Sequence, residues 1–169
     1  MTNRMKEIRV EKVVVNIGCG TGGEKLDKAK KVLEKLTGKK IVETCTNKRT
    51  TFGVAKGRPI GCKVTLRGKD AAEFLKRVLD AVDFKLPESV FDAQGDFSFG
   101  VKEHITIPGV RYEPEIGIYG MDVCVRLERR GYRVMRKRNG SKIGSEHRIK
   151  PEEARAWAEK NLNIKVGGE

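Results

Sequence analysis

From Ile8 to Ile17 the chain is rich in β-branched residues, the mark of a strand, and it passes directly into Gly18-Cys19-Gly20-Thr21-Gly22-Gly23, where a tight turn is expected. Leu26, Ala29, Val32, Leu33 and Leu36 then recur at three-to-four spacing, with Lys25, Lys28, Lys31 and Lys35 on the other side. That spacing predicts an amphipathic helix, stopped by Gly38. Residues 40–45 read as a short strand and residues 47–59 as a loop or irregular hairpin. Ile60 to Arg67 alternates: Ile60, Cys62, Val64 and Leu66 share one face, and Gly61, Lys63, Thr65 and Arg67 the other. Ala71, Phe74, Leu75, Val78 and Val82 form the apolar stripe of a second helix over 71–82, and residues 85–95 read as a connecting loop.

Alternation returns over 97–107, with Phe97, Phe99, Val101, Ile105 and Ile107 on one side and Ser98, Lys102, His104 and Thr106 on the other. It recurs through Met121, Val123, Val125 and Leu127. The last helix opens at Pro151-Glu152-Glu153, where proline suits the first turn and the acids complement the positive helix start. Its expected buried side is Ala154, Trp157, Ala158 and Leu162. Strands with one apolar and one polar face predict an α+β fold of two layers: an antiparallel sheet with helices packed on one face, the other face left polar and basic. The length of 169 residues fits a single domain, 1–169, with an extended basic loop over 128–150.

Charge sharpens this picture through its distribution. The formal net charge is +13. Residues 46–69 carry seven Lys and Arg and no acid, and residues 128–150 carry nine against Glu128 and Glu146, a net of +7 in each window; the rest of the chain sums to −1. Two acid-depleted stretches rich in Arg and Gly point to a polyanion, with nucleic acid the leading partner. Two merely solvated basic loops are the plainer alternative. A membrane-surface role is disfavoured, because neither window has an amphipathic stripe of bulky apolar residues. A mean hydropathy of −0.50 and the lack of any long apolar run exclude a membrane span, and the charged beginning of the chain suggests a cytosolic protein.

The run Val13-Val14-Val15-Asn16-Ile17-Gly18-Cys19-Gly20-Thr21-Gly22-Gly23 is the strongest enzyme-like signal. It has the layout of a dinucleotide fingerprint and is closer still to the first motif of S-adenosylmethionine-dependent methyltransferases. Against it stand the alternating strands after Phe84, which offer no crossover helices for a parallel sheet, and Asn16 where such enzymes usually place an acid. A close backbone approach at the turn, possible also for a phosphate at the next helix start, explains the glycines without a cofactor. Cys19, Cys45, Cys62 and Cys124 lie singly, and His104 and His147 have no visible catalytic partner, so no metal, disulfide or catalytic constellation is expected and both histidines are assigned to ordinary surface or interface positions. Asp96-Phe97-Ser98-Phe99-Gly100-Val101 is similar to an RNA-recognition strand but lacks its leading basic residue and glycine, so core packing is the role expected of Phe97 and Phe99. Only Phe52 and Tyr132 are aromatic in the basic windows. Few aromatics favour recognition of a folded RNA's shape and backbone over a single-strand stacking platform.

Three longer motifs are more specific. Gly57-Arg58-Pro59-Ile60-Gly61-Cys62-Lys63-Val64-Thr65-Leu66-Arg67-Gly68, Gly95-Asp96-Phe97-Ser98-Phe99-Gly100-Val101-Lys102-Glu103-His104 and Ile116-Gly117-Ile118-Tyr119-Gly120-Met121-Asp122-Val123 closely resemble the family of large-ribosomal-subunit protein five, in order over about residues 8–166. Residues 129–149, with Gly131-Tyr132-Arg133-Val134 and His147-Arg148-Ile149, are similar to its archaeal and eukaryotic branch, and point to a methanogen or related archaeon. The resemblance implies a non-enzymatic constituent of the 50S subunit in the cytoplasm. It would attach 5S rRNA at the central protuberance, touching 23S rRNA, the P-site tRNA, neighbouring large-subunit proteins and a small-subunit head protein across the subunit bridge, with no cofactor. Carried over by position, Asn16 and Thr65 match sheet residues that contact 5S rRNA, with Lys63 and Arg67 on the same expected face. The loop approaching P-site tRNA would be Phe52 to Pro59, with Lys56 and Arg58 as phosphate contacts. Lys48, Arg49, Arg133, Arg136, Lys137, Arg138 and Arg148 are the further rRNA contacts expected. Lys39 departs from the usual Gln, and the basic run after the second strand reads Thr44-Cys45-Thr46-Asn47-Lys48-Arg49. The alternatives are a small S-adenosylmethionine-dependent methyltransferase and a free RNA-binding module outside the ribosome.

Overall fold

The structure, a computed structural model, describes residues 3–49, 51 and 53–167. Its elements in chain order are β1 (Ile8–Gly18), α1 (Glu24–Thr37), β2 (Val42–Cys45), β3 (Pro59–Arg67), α2 (Gly68–Asp80), β4 (Lys85–Leu86), β5 (Phe97–Val101), β6 (Met121–Arg129), α3 (Arg133–Arg136), α4 (Pro151–Leu162) and β7 (Lys165–Val166). An antiparallel sheet runs β2-β3-β1-β6-β5, and β4 pairs in parallel with β7. This is the two-layer α+β architecture that the alternating strands predict. No helix among the described residues is long and apolar enough to cross a membrane.

Two compact units divide the chain. One comprises Val14–Leu66 and Gly100–Val123. Its core is the buried row of its strands, Val15, Ile17, Cys62, Val64, Met121 and Val123, together with the stripe Leu26, Ala29, Val32, Leu33 and Leu36 of α1. Gly38, left-handed at φ 60°, caps that helix by donating its N–H to the Glu34 carbonyl, a conformation cheap only for glycine. The other unit comprises the chain up to Val13, Arg67–Phe99 and the chain from Cys124 onward. It buries Phe97, Phe99, Val125, Leu127 and Ile149 with the inner sides of α2 and α4.

Several boundaries differ from expectation for local reasons. The second helix starts at Gly68, directly after β3, and ends at Asp80. Asp83 and Phe84 both take positive φ, and the Phe84 N–H closes onto the Leu79 carbonyl, so Leu79 takes the buried place expected of Val82. Within the expected loop 85–95, Lys85 and Leu86 pair with Lys165 and Val166, a two-residue strand too short to show a period. The strand expected over 97–107 stops at Val101. Beyond it His104 is buried within the chain, against the surface or interface position expected: its backbone N–H donates to the Tyr119 carbonyl, its Nδ1 accepts the Tyr119 N–H, and this double tie replaces strand pairing. Burial pushes its imidazole below the usual histidine value. On α4, Ala154 and Ala158 are fully buried while Trp157 and Leu162 are half-buried.

Candidate nucleic-acid interface

One group of the expected site residues lies on β1, β3 and the β2–β3 loop. On β3, Cys62, Val64 and Leu66 are buried while Lys63, Thr65 and Arg67 are exposed, and on β1 Asn16 is half-buried between Val15 and Ile17. The period-two geometry of a strand therefore puts a cation, a hydroxyl and a second cation in one exposed row. β2 pairs with β3 through Val42↔Lys63, Glu43↔Cys62 and Thr44↔Gly61 before an irregularity at Cys45. Gly61 is required there: a Cβ would lie 2.8 Å from the Ile17 carbonyl oxygen and 2.8 Å from Thr44 Oγ1.

Buried Thr46 closes the base of the β2–β3 loop. Its N–H donates to the Arg58 carbonyl at 3.0 Å, its hydroxyl donates to the Ala55 carbonyl at 2.8 Å, and its carbonyl accepts the Gly57 N–H at 2.8 Å. Lys48, Arg49, Lys56 and Arg58 are exposed around that neck, and none of them forms an ion pair among the described residues; Pro59, half-buried, starts β3. Phe52 lies outside the described residues. The glycine run after β1 sits beside the loop's far end. The N–H groups of Cys19 and Gly20 both donate to the Ile60 carbonyl, at 2.9 and 3.1 Å, and a Cβ on Gly22 would come within 3.0 Å of the Pro59 oxygen. Two amides of the run, those of Cys19 and Gly20, are thus spent on β3, and the strand they follow is antiparallel to its neighbours.

The second basic window is folded back on itself. Tyr132, buried, donates its hydroxyl to the His147 carbonyl at 3.2 Å and accepts the Ile149 N–H at 3.0 Å, while His147 Nε2 lies 2.8 Å from the Arg130 carbonyl. Arg133, Lys137, Arg138 and Arg148 are exposed. Arg129 is buried instead: it pairs with Glu153 at 2.9 Å and reaches the carbonyls of His147 and Arg148. Burial opposes the charge on Glu153, but the Lys150 N–H and the Arg129 guanidinium together hold its carboxyl below the usual range.

Sequence reasoning missed the charged cluster beside this window. Glu11 continues the row of Val13, Val15 and Ile17, and its side chain is 4% exposed. Three guanidiniums meet it: Arg67 at 3.2 Å, Arg136 at 3.0 Å and Arg126 at 3.1 Å. Arg136 also pairs with Glu128, which Arg9 engages at 2.6 Å. Asp96 lies 3.9 Å from Arg126; burial pushes its carboxyl up, against the Leu127 N–H and Arg126, which favour its charge. Glu11 itself was the available signal, a carboxylate on the row that is otherwise apolar. A carboxylate so buried is kept charged by the cations around it, here three rather than one. A cavity of about 600 Å³ adjoins the cluster, lined among others by Asp96, Arg126, Tyr132, Met135, Lys142 and Arg148.

An antiparallel sheet backed by helices, with basic side chains exposed on a strand and on the loops beside it, defines the class as an α+β protein with a polycationic surface. The particular family follows from comparison. The model of "Ribosomal protein L5" matches residues 3–51, and a second model, for the C-terminus of the same ribosomal family, matches residues 59–157. The chain is 51% identical over 166 residues to large ribosomal subunit protein uL5 of Sulfolobus acidocaldarius, covering 97% of this chain and 93% of that protein. With the proteins of the same name in Nanoarchaeum equitans and Methanoregula boonei it shares 48% and 43% identity, over 98% and 96% of this chain and 99% of each relative. The chain belongs to the ribosomal protein L5 family, in its archaeal form.

Proposed function

We propose that this chain is a non-enzymatic constituent of the large ribosomal subunit that binds 5S rRNA and helps attach it to the subunit. The observation that carries the proposal is β3, where the buried row of Cys62, Val64 and Leu66 leaves Lys63, Thr65 and Arg67 exposed, with Asn16 on β1 as a second polar group of the sheet. Lys and Arg supply the phosphate contacts, and the hydroxyl and amide supply donors and acceptors for sugar and base edges. Family membership and the names of the relatives support the ribosomal setting.

Within that proposal the loop Phe52–Pro59, through Lys56 and Arg58, faces the P-site tRNA. Lys48, Arg49, Arg133, Lys137, Arg138 and Arg148 meet 23S or 5S rRNA, with Arg136 contributing from its ion pairs. Neighbouring large-subunit proteins and a small-subunit head protein complete the partners, and the basic stretch 128–150 works as an extension of one RNA-binding domain. The methyltransferase alternative has only its glycine run in favour, and two amides of that run, those of Cys19 and Gly20, are taken by the Ile60 carbonyl.

The test is a titration of the full chain with 5S rRNA across a salt series, alongside a titration with S-adenosylmethionine. About 6 to 10 phosphate contacts correspond to a loss of roughly 10³ to 10⁵ in affinity between 50 and 200 mM salt. Asn16→Ala and Thr65→Ala are expected to weaken 5S rRNA binding more than Lys56→Ala combined with Arg58→Ala. Saturable methyl-donor binding with only weak, non-specific RNA binding would falsify the assignment. Loop variants losing 5S rRNA affinity while the sheet variants keep it would overturn the division between sheet and loop.

A further inference from the structure

Arg9 and Arg126 lie outside both basic windows, yet folding gathers them with Arg67 and Arg136 around Glu11 and Glu128. Four guanidiniums meet these two carboxylates, with Asp96 at the edge. Two things distinguish this cluster from ordinary surface pairing. Glu11 is buried, so its carboxylate depends on the arginines rather than on water. The arginines keep solvent access: the side chains of Arg9 and Arg67 are each 57% exposed, Arg136 40% and Arg126 33%. A guanidinium carries five N–H donors in a rigid planar fork, so one edge held by a carboxylate leaves further donors facing outward in a fixed orientation.

We propose that Glu11 and Glu128 are positioning residues, which align Arg9, Arg67, Arg126 and Arg136 into a preorganised site for the phosphodiester backbone of a folded RNA. The proposal rests on the RNA-binding function given above and adds to that interface Arg9, Arg126 and Glu11, which neither charge distribution nor motif indicated. Its physical content is entropic. A free arginine loses side-chain freedom each time it is immobilised on a phosphate, and a side chain already ordered loses less. The clasp also ties two separate stretches of chain together, because Arg136 comes from the basic extension and Arg67 from the end of β3 with its exposed row.

The two carboxylates have a signed consequence. If only net charge mattered, neutralising an acid next to a polyanion site would tighten binding. If the acids position the arginines, neutralising them weakens binding although the protein becomes more positive. Glu11→Gln, Glu128→Gln and the charge control Glu159→Gln, on the exposed side of α4, are therefore compared in the full chain with transcribed 5S rRNA over a salt series, with circular dichroism and thermal melting in parallel. Glu11→Gln and Glu128→Gln are expected to bind roughly tenfold more weakly. Their plots of log affinity against log salt should flatten by about one contact, which a general loss of stability would not produce. Glu128→Asp should recover part of the loss, and Glu159→Gln should bind at least as tightly as the wild type.

If Glu11→Gln does not fold, Glu128→Gln, on the side chain with more solvent access, decides the matter alone. Folded variants that bind as tightly as the wild type or tighter, with an unchanged salt slope, overturn the positioning role while leaving the RNA-binding function intact. A wild-type chain that does not bind 5S rRNA overturns both.

Discussion

Tyr132 provides a quantitative test of how the basic extension is held. Its hydroxyl is the joint between the beginning and the end of residues 128–150, donating to the His147 carbonyl and accepting the Ile149 N–H. Tyr132→Phe keeps the ring and its edge-on packing against His147 but removes both bonds. Ile149 is 1% exposed, so its N–H is left without an acceptor, a penalty of about 1–3 kcal/mol; the half-buried His147 carbonyl still accepts from Arg129 and adds little. A loss near 2 kcal/mol is the central expectation. For a chain of this size each kcal/mol moves the melting temperature by roughly 2–4 °C, which gives a fall of about 4–8 °C. Chemical denaturation should show the same loss as a lower midpoint at constant slope, and amide exchange should accelerate at Ile149 more than at Val125 in the middle of β6. A variant that melts within 1 °C of the wild type, with unchanged exchange at Ile149, would show that the hydroxyl does not hold the extension.

Gly61→Ala places a Cβ 2.8 Å from a backbone oxygen of the central strand and should destabilise by about 1–3 kcal/mol, whereas Gly100→Ala, whose nearest neighbour is Asp122 Oδ1 at 3.8 Å, should stay within about 0.5 kcal/mol; equal midpoints for the two in urea would refute the close-approach argument. His104 is depressed below its ordinary value near 6.5, so the unfolded chain takes up its proton first on acidification. The stability His104 contributes is fully present above about pH 6.5 and is lost as pH falls through the lower folded value. His104→Asn, which keeps an acceptor for the Tyr119 N–H, should flatten the decline in urea midpoint between pH 7.5 and 5; parallel curves for the two proteins would count against a buried neutral imidazole.

The elements were legible where burial and periodicity coincide. The stripe of α1 and the alternation of β3 name their own buried residues, because a regular element with one face in the core must repeat its apolar positions at its own period. The same reasoning went astray where long-range pairing overrides local pattern. His104 continues an alternation on paper but is recruited by Tyr119, fifteen residues later, and Leu86 is a strand only because Val166 meets it. Motif reading had a similar boundary. The glycine run after β1 has the spacing of a cofactor loop, yet its Cys19 and Gly20 amides are committed to Ile60, a partner that no spacing reveals.

By itself the sequence determined the α+β class, the exposed row of β3, the family and the two windows that hold the excess positive charge. Those properties depend on residue type and near neighbours along the chain. Only the tertiary structure decided which of those charges face outward. It buried Arg129 against Glu153, drew Arg136 onto Glu11 and Glu128, and brought in Arg9 and Arg126 from outside both windows. The physical reason is that a buried carboxylate must find its compensating cations in three dimensions. Net charge counts cations, whereas the fold chooses which of them are spent within the protein and which remain for a partner.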